Sequence, residues 1–271
     1  MKTSTNATEA ISQANKLRPL HSIEARYFRD QLREARAIAL ADAEGFPALL
    51  FCIERLGTRL TDSVHSLEHY KGSMVNFARR SALAESVPRR FRNLLTPFPR
   101  LYDIVREARN EALHHGAFAR NLTSSAIQLA LVLEDALMAD QHTVGDYMVR
   151  GPVCAEPWQP MSFIRQQMLA NSYSYLPVLL LEEDVWVWRL VSDHWVATYL
   201  RRGDRKKLLA KRLEDAIQEG PTELPQAPVC KADTPIGNAL SLLEDHGLPL
   251  LVFDEYKPSH LVGVVTAFDL L

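Results

Sequence analysis

Pro152-Val153-Cys154 returns 76 residues later as Pro228-Val229-Cys230, and Leu176-Pro177-Val178-Leu179 returns 72 residues later as Leu248-Pro249-Leu250-Leu251. Between the members of each pair lies one amphipathic helical stretch, Ser162 to Ala170 in the first copy and Ile236 to Glu244 in the second. After each Leu-Pro run comes a polar turn and a second β-rich run, Val185 to Val191 and Leu261 to Val265. Short β-branched runs alternating with helical periodicity, repeated at near-constant offset, predict a duplicated α/β module. It covers residues 143–271, with copy one at about 143–205 and copy two at about 222–271.

The second copy closes with Gly263-Val264-Val265-Thr266-Ala267-Phe268-Asp269-Leu270. Gly263 allows a close approach of another backbone in a buried strand. Thr266 sits where strand gives way to helix. A threonine followed three residues later by an acid is the spacing of a capping box, which only satisfies free amides. The same geometry can serve a ligand: helix-end amides and the Thr266 hydroxyl can hold a phosphate, and Asp269 can accept from a ribose diol. The order Pro-Val, helix, Leu-Pro-aliphatic strand, Gly-Val-Val-Thr-x-x-Asp resembles the CBS (cystathionine β-synthase) domain, and two copies resemble a tandem CBS pair. That resemblance implies an adenine nucleotide (ATP, ADP or AMP) as regulatory ligand. Thr266 would face phosphate or ribose, Asp269 the ribose hydroxyls, and Val229 and Cys230 the base. In copy one Ser192 replaces the threonine and Trp195 stands at the aspartate position, so one complete site is expected, around copy two.

The first half carries helical periodicity. Ser22 to Ala43, Pro47 to Val64, Gly72 to Ala84, Pro99 to His115 and Thr123 to Ala139 are predicted helices, with no strand before residue 145. Pro99 suits the first turn of its helix. The expected fold class is therefore α plus α/β: an antiparallel helical bundle over 21–140, after a loose tail at 1–20, then the repeat.

Hydrophobic residues make up 47% and charged residues 24%, a globular composition with enough apolar side chains for two cores. No apolar run is long enough to span a bilayer, and the first residues lack a secretion-signal pattern, so no membrane partner is expected. Three cysteines (Cys52, Cys154, Cys230), odd in number and without a CxxC pair, fit a reducing cytoplasm and no metal site. The net charge of −2 is uneven: residues 1–140 hold 19 Lys+Arg against 16 Asp+Glu, and residues 141–271 hold 12 against 17. Arg79, Arg80, Arg89, Arg90, Arg92 and Arg106 lie in the most basic stretch. They read either as a solvated face or as a strip for an RNA backbone, arginine's fork favouring phosphate.

One predicted helix carries Arg106-Glu107-Ala108-Arg109-Asn110-Glu111-Ala112-Leu113-His114-His115-Gly116. Arg109-Asn110-x-x-x-His114 in an all-helical domain resembles the HEPN superfamily, whose bundles often act as metal-independent ribonucleases and usually dimerise. By that resemblance Arg109 and His114 are catalytic and Asn110 orients them. On one straight helix Arg109 and His114 point about 140° apart, whereas Asn110 and His114 share a face. A homodimer bringing two motifs together would answer that difficulty. The implied chemistry is attack of an RNA 2′-hydroxyl on the adjacent phosphodiester, with histidine exchanging protons and arginine stabilising charge at phosphorus. The two resemblances imply a nucleotide-regulated endoribonuclease. The alternatives are a non-enzymatic regulator whose helical half only dimerises, and a helical half that binds nucleotide without cleavage.

Overall fold

The computed structural model of the protein describes residues 17–42, 45–112, 119–254 and 260–271, the side chains of 108–121 excepted. The chain divides into two compact units, Met1–Gln141 and His142–Leu271.

The first unit is helical: α1 (Ser22–Ala41), α2 (Phe46–Thr61), α3 (Leu67–Ala78), α4 (Ser86–Arg90), α5 (Phe98–Ala112) and α6 (Ala119–Met138). Apolar stripes from α1, α2, α3 and α6 meet in one core, with Leu32, Leu49, Ile53, Leu56, Met74, Leu129 and Leu133 fully buried. A polar clamp crosses that packing. Glu134 on α6 is buried, and Arg36 on α1 donates to it through Nε and Nη2 at 3.0 and 3.1 Å. Residues 17–20, expected to be loose, are tied down: Arg18 N–H donates to the Leu60 carbonyl at 2.9 Å, and Leu17 and Leu20 pack on the core. The rest of the expected tail, 1–16, lies outside the described residues. The third helix starts at Leu67, earlier than its predicted Gly72, because Leu67 and Tyr70 are both core residues. It ends at Ala78, where Ser81 caps a short 3-10 turn (Ala82–Ala84) through the Leu83 N–H.

The second unit contains α7 (Val144–Tyr147), β1 (Val149–Arg150), α8 (Met161–Asn171), β2 (Tyr175–Glu182), β3 (Val185–Ser192), α9 (Asp193–Tyr199), α10 (Arg205–Ala210), α11 (Leu213–Gln218), β4 (Val229–Lys231), α12 (Ile236–His246), β5 (Leu250–Phe253), β6 (Leu261–Val265) and a final 3-10 turn, Ala267–Leu270. In copy two, β4 runs parallel to β5 through the α12 crossover, and β5 pairs antiparallel with β6. Copy one repeats this order. Ala155 makes a parallel bridge with Val178, α8 is the crossover, and β2 pairs antiparallel with β3.

Each copy lends its lead-in segment to the other. Ahead of copy one, β1 adds to copy two's sheet, with Val149 opposite Val264 and Arg150 opposite Gly263. Ahead of copy two, Gln226 bridges Arg189 in β3, flanked by Leu190 N–H to Pro225 O (3.1 Å) and Ala227 N–H to Trp188 O (3.2 Å). The helix starts follow suit. Ile236 N–H donates to His142 O at 3.0 Å, and its counterpart Met161 N–H donates to Lys211 O at 2.8 Å. The exchange covers sheet edges that would otherwise be unpaired. It also fuses the copies around Leu190, Ala227, Leu251 and Phe253, where Trp188 and Phe253 meet at 6.1 Å between ring centroids.

Candidate functional site

The buried strand β6 delivers the chain to Thr266, still extended, which caps the final 3-10 turn. Thr266 donates both its N–H and its hydroxyl to Asp269 Oδ2, each at 2.8 Å, and Asp269 returns its own N–H to Thr266 O at 3.1 Å. Asp269 is 8% exposed, so its carboxylate is held in one orientation by the cap. Among the described residues, both side-chain hydrogen bonds to that carboxylate fall on Oδ2. The hydroxyl proton of Thr266 is therefore committed to Asp269. The expectation from the sequence is that this hydroxyl faces phosphate or ribose.

The same box occurs at Thr143 and Asp146, where Asp146 Oδ2 accepts from the Thr143 hydroxyl at 2.8 Å and its N–H at 3.2 Å. Spacing alone thus makes a cap. Beside Thr266 and Asp269 lies a cleft of about 530 Å³, within the range of small-molecule sites. Copy two lines it with Pro249, Val264, Thr266, Phe268 and Asp269. Copy one supplies Val149, Pro152 and Val153 from its lead-in, the Asn171–Tyr175 turn, Pro177 and Leu190. The wall is mostly apolar and aromatic, with Asp269 its one ionisable carboxylate and no lysine, arginine or histidine among the described residues. In that turn Ser172 adopts a left-handed backbone (φ 56°) as the C-cap of α8, the position that Gly247 (φ 62°) fills after α12.

Val229 and Cys230 do not line this cleft. They lie on β4, with Val229 exposed, and the Pro-Val pair beside Asp269 is copy one's Pro152-Val153. The exchange of lead-in segments explains the displacement. Arg150 pairs with Gly263 as Gln226 pairs with Arg189, so the repeat's symmetry assigns Pro228-Val229 to the Ser192 end of copy one. No local signal in the sequence reports that crossing. The Cys230 thiol is pushed up to about 11 by burial, which makes it a poor nucleophile. Tyr173, Tyr175 and Phe268, which supply the ring surfaces, were not anticipated either.

Copy one's equivalent position is filled. Ser192 accepts from Trp195 N–H at 3.0 Å, and the Trp195 ring is buried, donating Nε1–H to Thr222 O at 2.9 Å and stacking on Tyr199 at 5.6 Å. A separate open groove of about 610 Å³ lies between α8, α9 and α10, and there the basic residues gather: Arg165, His194, Arg201 and Arg205.

In the helical unit, Arg109 and Asn110 fall on the backbone of α5, but their side chains, and His114 altogether, lie outside the described residues. Of the six arginines read as a strip, three have carboxylate partners in their own unit. Arg80 pairs with Asp140, Arg89 with Glu85, and Arg106 with Glu68 and Asp103. For Arg79, Arg90 and Arg92 no carboxylate partner occurs among the described residues, and Arg90 lies over the Phe91 ring at 5.6 Å. No described helix is long and apolar enough to cross a membrane. Among the described residues, no three His, Cys, Asp or Glu side chains gather to hold a metal ion.

Comparison with known proteins places a CBS domain at residues 223–271. No curated protein matches the chain. Solved structures to which the chain is similar include CBSX2 in complex with AMP (21% identity, 47% of this chain and 92% of that one, TM-score 0.35). They also include the CBS domain pair of MJ0100 in complex with 5′-methylthioadenosine and S-adenosyl-L-methionine (17%, 47% and 91%, 0.36). A third is the CBS-domain protein ATU1752 from Agrobacterium tumefaciens (13%, 47% and 90%, 0.36). The HEPN resemblance of the helical half draws no support from these matches.

Proposed function

We propose that the second unit is a tandem CBS pair that senses an adenine-containing ligand in the cleft beside Thr266 and Asp269. The observation that carries this reading is the buried, cap-oriented Asp269 carboxylate opening on an apolar cleft within the detected CBS domain. Asp269 Oδ1 accepts from the ribose hydroxyls, and the aromatic and proline side chains enclose the base. A ligand touching both copies favours whichever arrangement of the lead-in segments makes those contacts best, which is how occupancy becomes a signal.

Titration calorimetry of the full chain with adenosine and AMP tests the site. Asp269→Asn should weaken binding of whichever ligand the wild type takes by roughly tenfold or more, the worth of a charge-assisted hydrogen bond. Asp204→Ala removes the cap of α10, whose residues do not line the cleft, and its binding should stay as in the wild type. Equal losses in both variants would reduce Asp269 to a structural cap.

The helical unit is proposed as the effector, and as a HEPN-like metal-independent endoribonuclease with Arg109, Asn110 and His114 at its centre. That part rests on the sequence motif. The RNA 2′-hydroxyl would attack the adjacent phosphorus, forming a 2′,3′-cyclic phosphate as the P–O5′ bond breaks, with His114 exchanging protons between the 2′-oxygen and the leaving 5′-oxygen. The carboxylate partners of Arg80, Arg89 and Arg106 leave less free positive charge for an RNA backbone, and so favour the alternative of a non-enzymatic, dimerising regulator. Incubation with single-stranded RNA in EDTA separates the two. Cleavage abolished by Arg109→Ala and by His114→Ala supports the enzyme; RNA left intact with and without adenine ligands supports the regulator.

A further inference from the structure

The cleft carries little charge among its described lining residues. Asp269 is the one charged side chain lining it among the described residues, and the three arginines nearest in kind to phosphate ligands, Arg165, Arg201 and Arg205, line the other groove. Arg150 is adjacent in sequence to Val149, which lines the cleft, but strand alternation turns it to the opposite face. It donates there to the Gly145 carbonyl at 2.7 Å. Neutral hydroxyl donors line the cleft at Ser172, Tyr173, Ser174 and Tyr175, but none carries the positive charge that pairs with a phosphate. At the cap, the Thr266 hydroxyl and N–H are both committed to Asp269, and the Asp269 N–H is committed to Thr266.

An anionic tail on the ribose would thus enter a mostly apolar cleft with no cation among its described lining residues and an oriented carboxylate nearby. Burying unpaired charge is unfavourable, and like charges at short range in a low-dielectric site repel. A neutral tail escapes both penalties, and a cationic one is attracted to Asp269.

We propose that this cleft selects adenine nucleosides whose 5′ substituent is neutral or positively charged, and discriminates against adenine mono-, di- and triphosphates. The inference rests on the cleft being the ligand site, as argued above, and adds the charge of the ligand it takes.

The test is titration calorimetry of the full chain, in EDTA so that no divalent cation neutralises phosphate. The probes are adenosine, 5′-methylthioadenosine, S-adenosyl-L-methionine, AMP, ADP and ATP. Adenosine and methylthioadenosine should bind, and the sulfonium compound at least as tightly. AMP should bind ~10-fold or more weakly than adenosine, and ATP more weakly still. Asp269→Asn should narrow the gap between adenosine and AMP, because it removes the repelling charge. Phe268→Ala is a second variant: Phe268 lines the cleft while 73% exposed, so its loss spares the fold. It should weaken all bound ligands together. AMP or ATP binding as tightly as adenosine would overturn the charge selection while leaving the site in place. Binding of any probe that neither Asp269→Asn nor Phe268→Ala alters, or no binding at all, would remove the site itself and this inference with it.

Discussion

Replacing Gly263 with alanine tests the exchanged strand that closes the cleft. A Cβ at this position would lie 2.5 Å from Met148 Sδ, 3.0 Å from Met148 Cγ and 3.1 Å from the Val149 carbonyl oxygen. Met148 is 3% exposed and packs with Val144, Leu250 and Val265, so its side chain has little room to retreat. The carbonyl belongs to β1, which pairs with β6 at this point. Overpacking of this kind costs about 1–3 kcal/mol. For a domain of this size that lowers the melting midpoint by roughly 4–12 °C. Because Val149 lines the cleft, displacement of β1 should weaken ligand binding as well. Met148→Ala alone leaves a hole and costs about 2–5 kcal/mol. Combined with Gly263→Ala it removes the obstructing sulfur, and the new methyl fills part of the space. The double variant should therefore be more stable than the sum of the singles, by roughly 1 kcal/mol in urea unfolding. A wild-type melt for Gly263→Ala, or strict additivity in the cycle, would refute the close approach of β1 to Gly263.

Three further outcomes are expected. Ser172→Gly should stabilise the second unit by about 1 kcal/mol, because a left-handed C-cap burdens a side chain and not glycine; a lower urea midpoint would contradict it. Arg59 hydrogen bonds, with help from the His21 N–H, hold the Glu24 carboxyl down from an ordinary 4.5 to about 2. A depressed folded-state value gives stability that is present above pH 4.5 and lost as the pH falls towards 2. Glu24 is a third exposed, so the effect is modest, and Glu24→Gln should flatten the urea midpoint between pH 5 and 2.5 relative to wild type. Trp195→Asp, which writes the Thr-x-x-Asp acid into copy one, should unfold that copy by about 3–5 kcal/mol and create no second site. A folded variant binding two ligands per chain would show that Trp195 merely occupies a ready-made cleft.

Periodicity made the element types legible because it depends only on neighbours in the chain. The stripes of Leu49, Ile53, Leu56 and Leu60 and of Leu129 and Leu133 specify helices whatever surrounds them, and these residues are buried in the core. Helix boundaries were less legible where tertiary burial decides them. Tyr70 extends α3 back beyond Gly72 because its ring is 1% exposed and its hydroxyl donates to Ser63 O at 2.9 Å, contacts invisible to a local pattern. The repeat itself was legible from the Pro-Val-Cys and Leu-Pro matches. The lead-in helices α7 and α11 are equivalent, with Val144 N–H donating to Thr234 O and Leu213 N–H to Gln159 O, yet they share too little sequence to announce the match.

The site divides along the same line. Thr143 and Asp146 form the cap that Thr266 and Asp269 form, with the same atoms and similar distances, yet the cleft belongs to the second pair alone. A motif therefore fixes how a carboxylate is held, and the chain that comes to lie opposite fixes what it is held towards. At Asp269 that chain is Val149 to Val153, brought across by the pairing of Arg150 with Gly263. Reading both walls of the site from one copy consequently errs by one repeat, which is why Val229 and Cys230 were expected beside Asp269 and Pro152 and Val153 are found there. The error has a direction. The exchange is reciprocal, so any variant that loosens the Arg150–Gly263 pairing should disturb the cleft, whereas loosening Gln226 from Arg189 should disturb copy one's edge and leave Asp269 oriented.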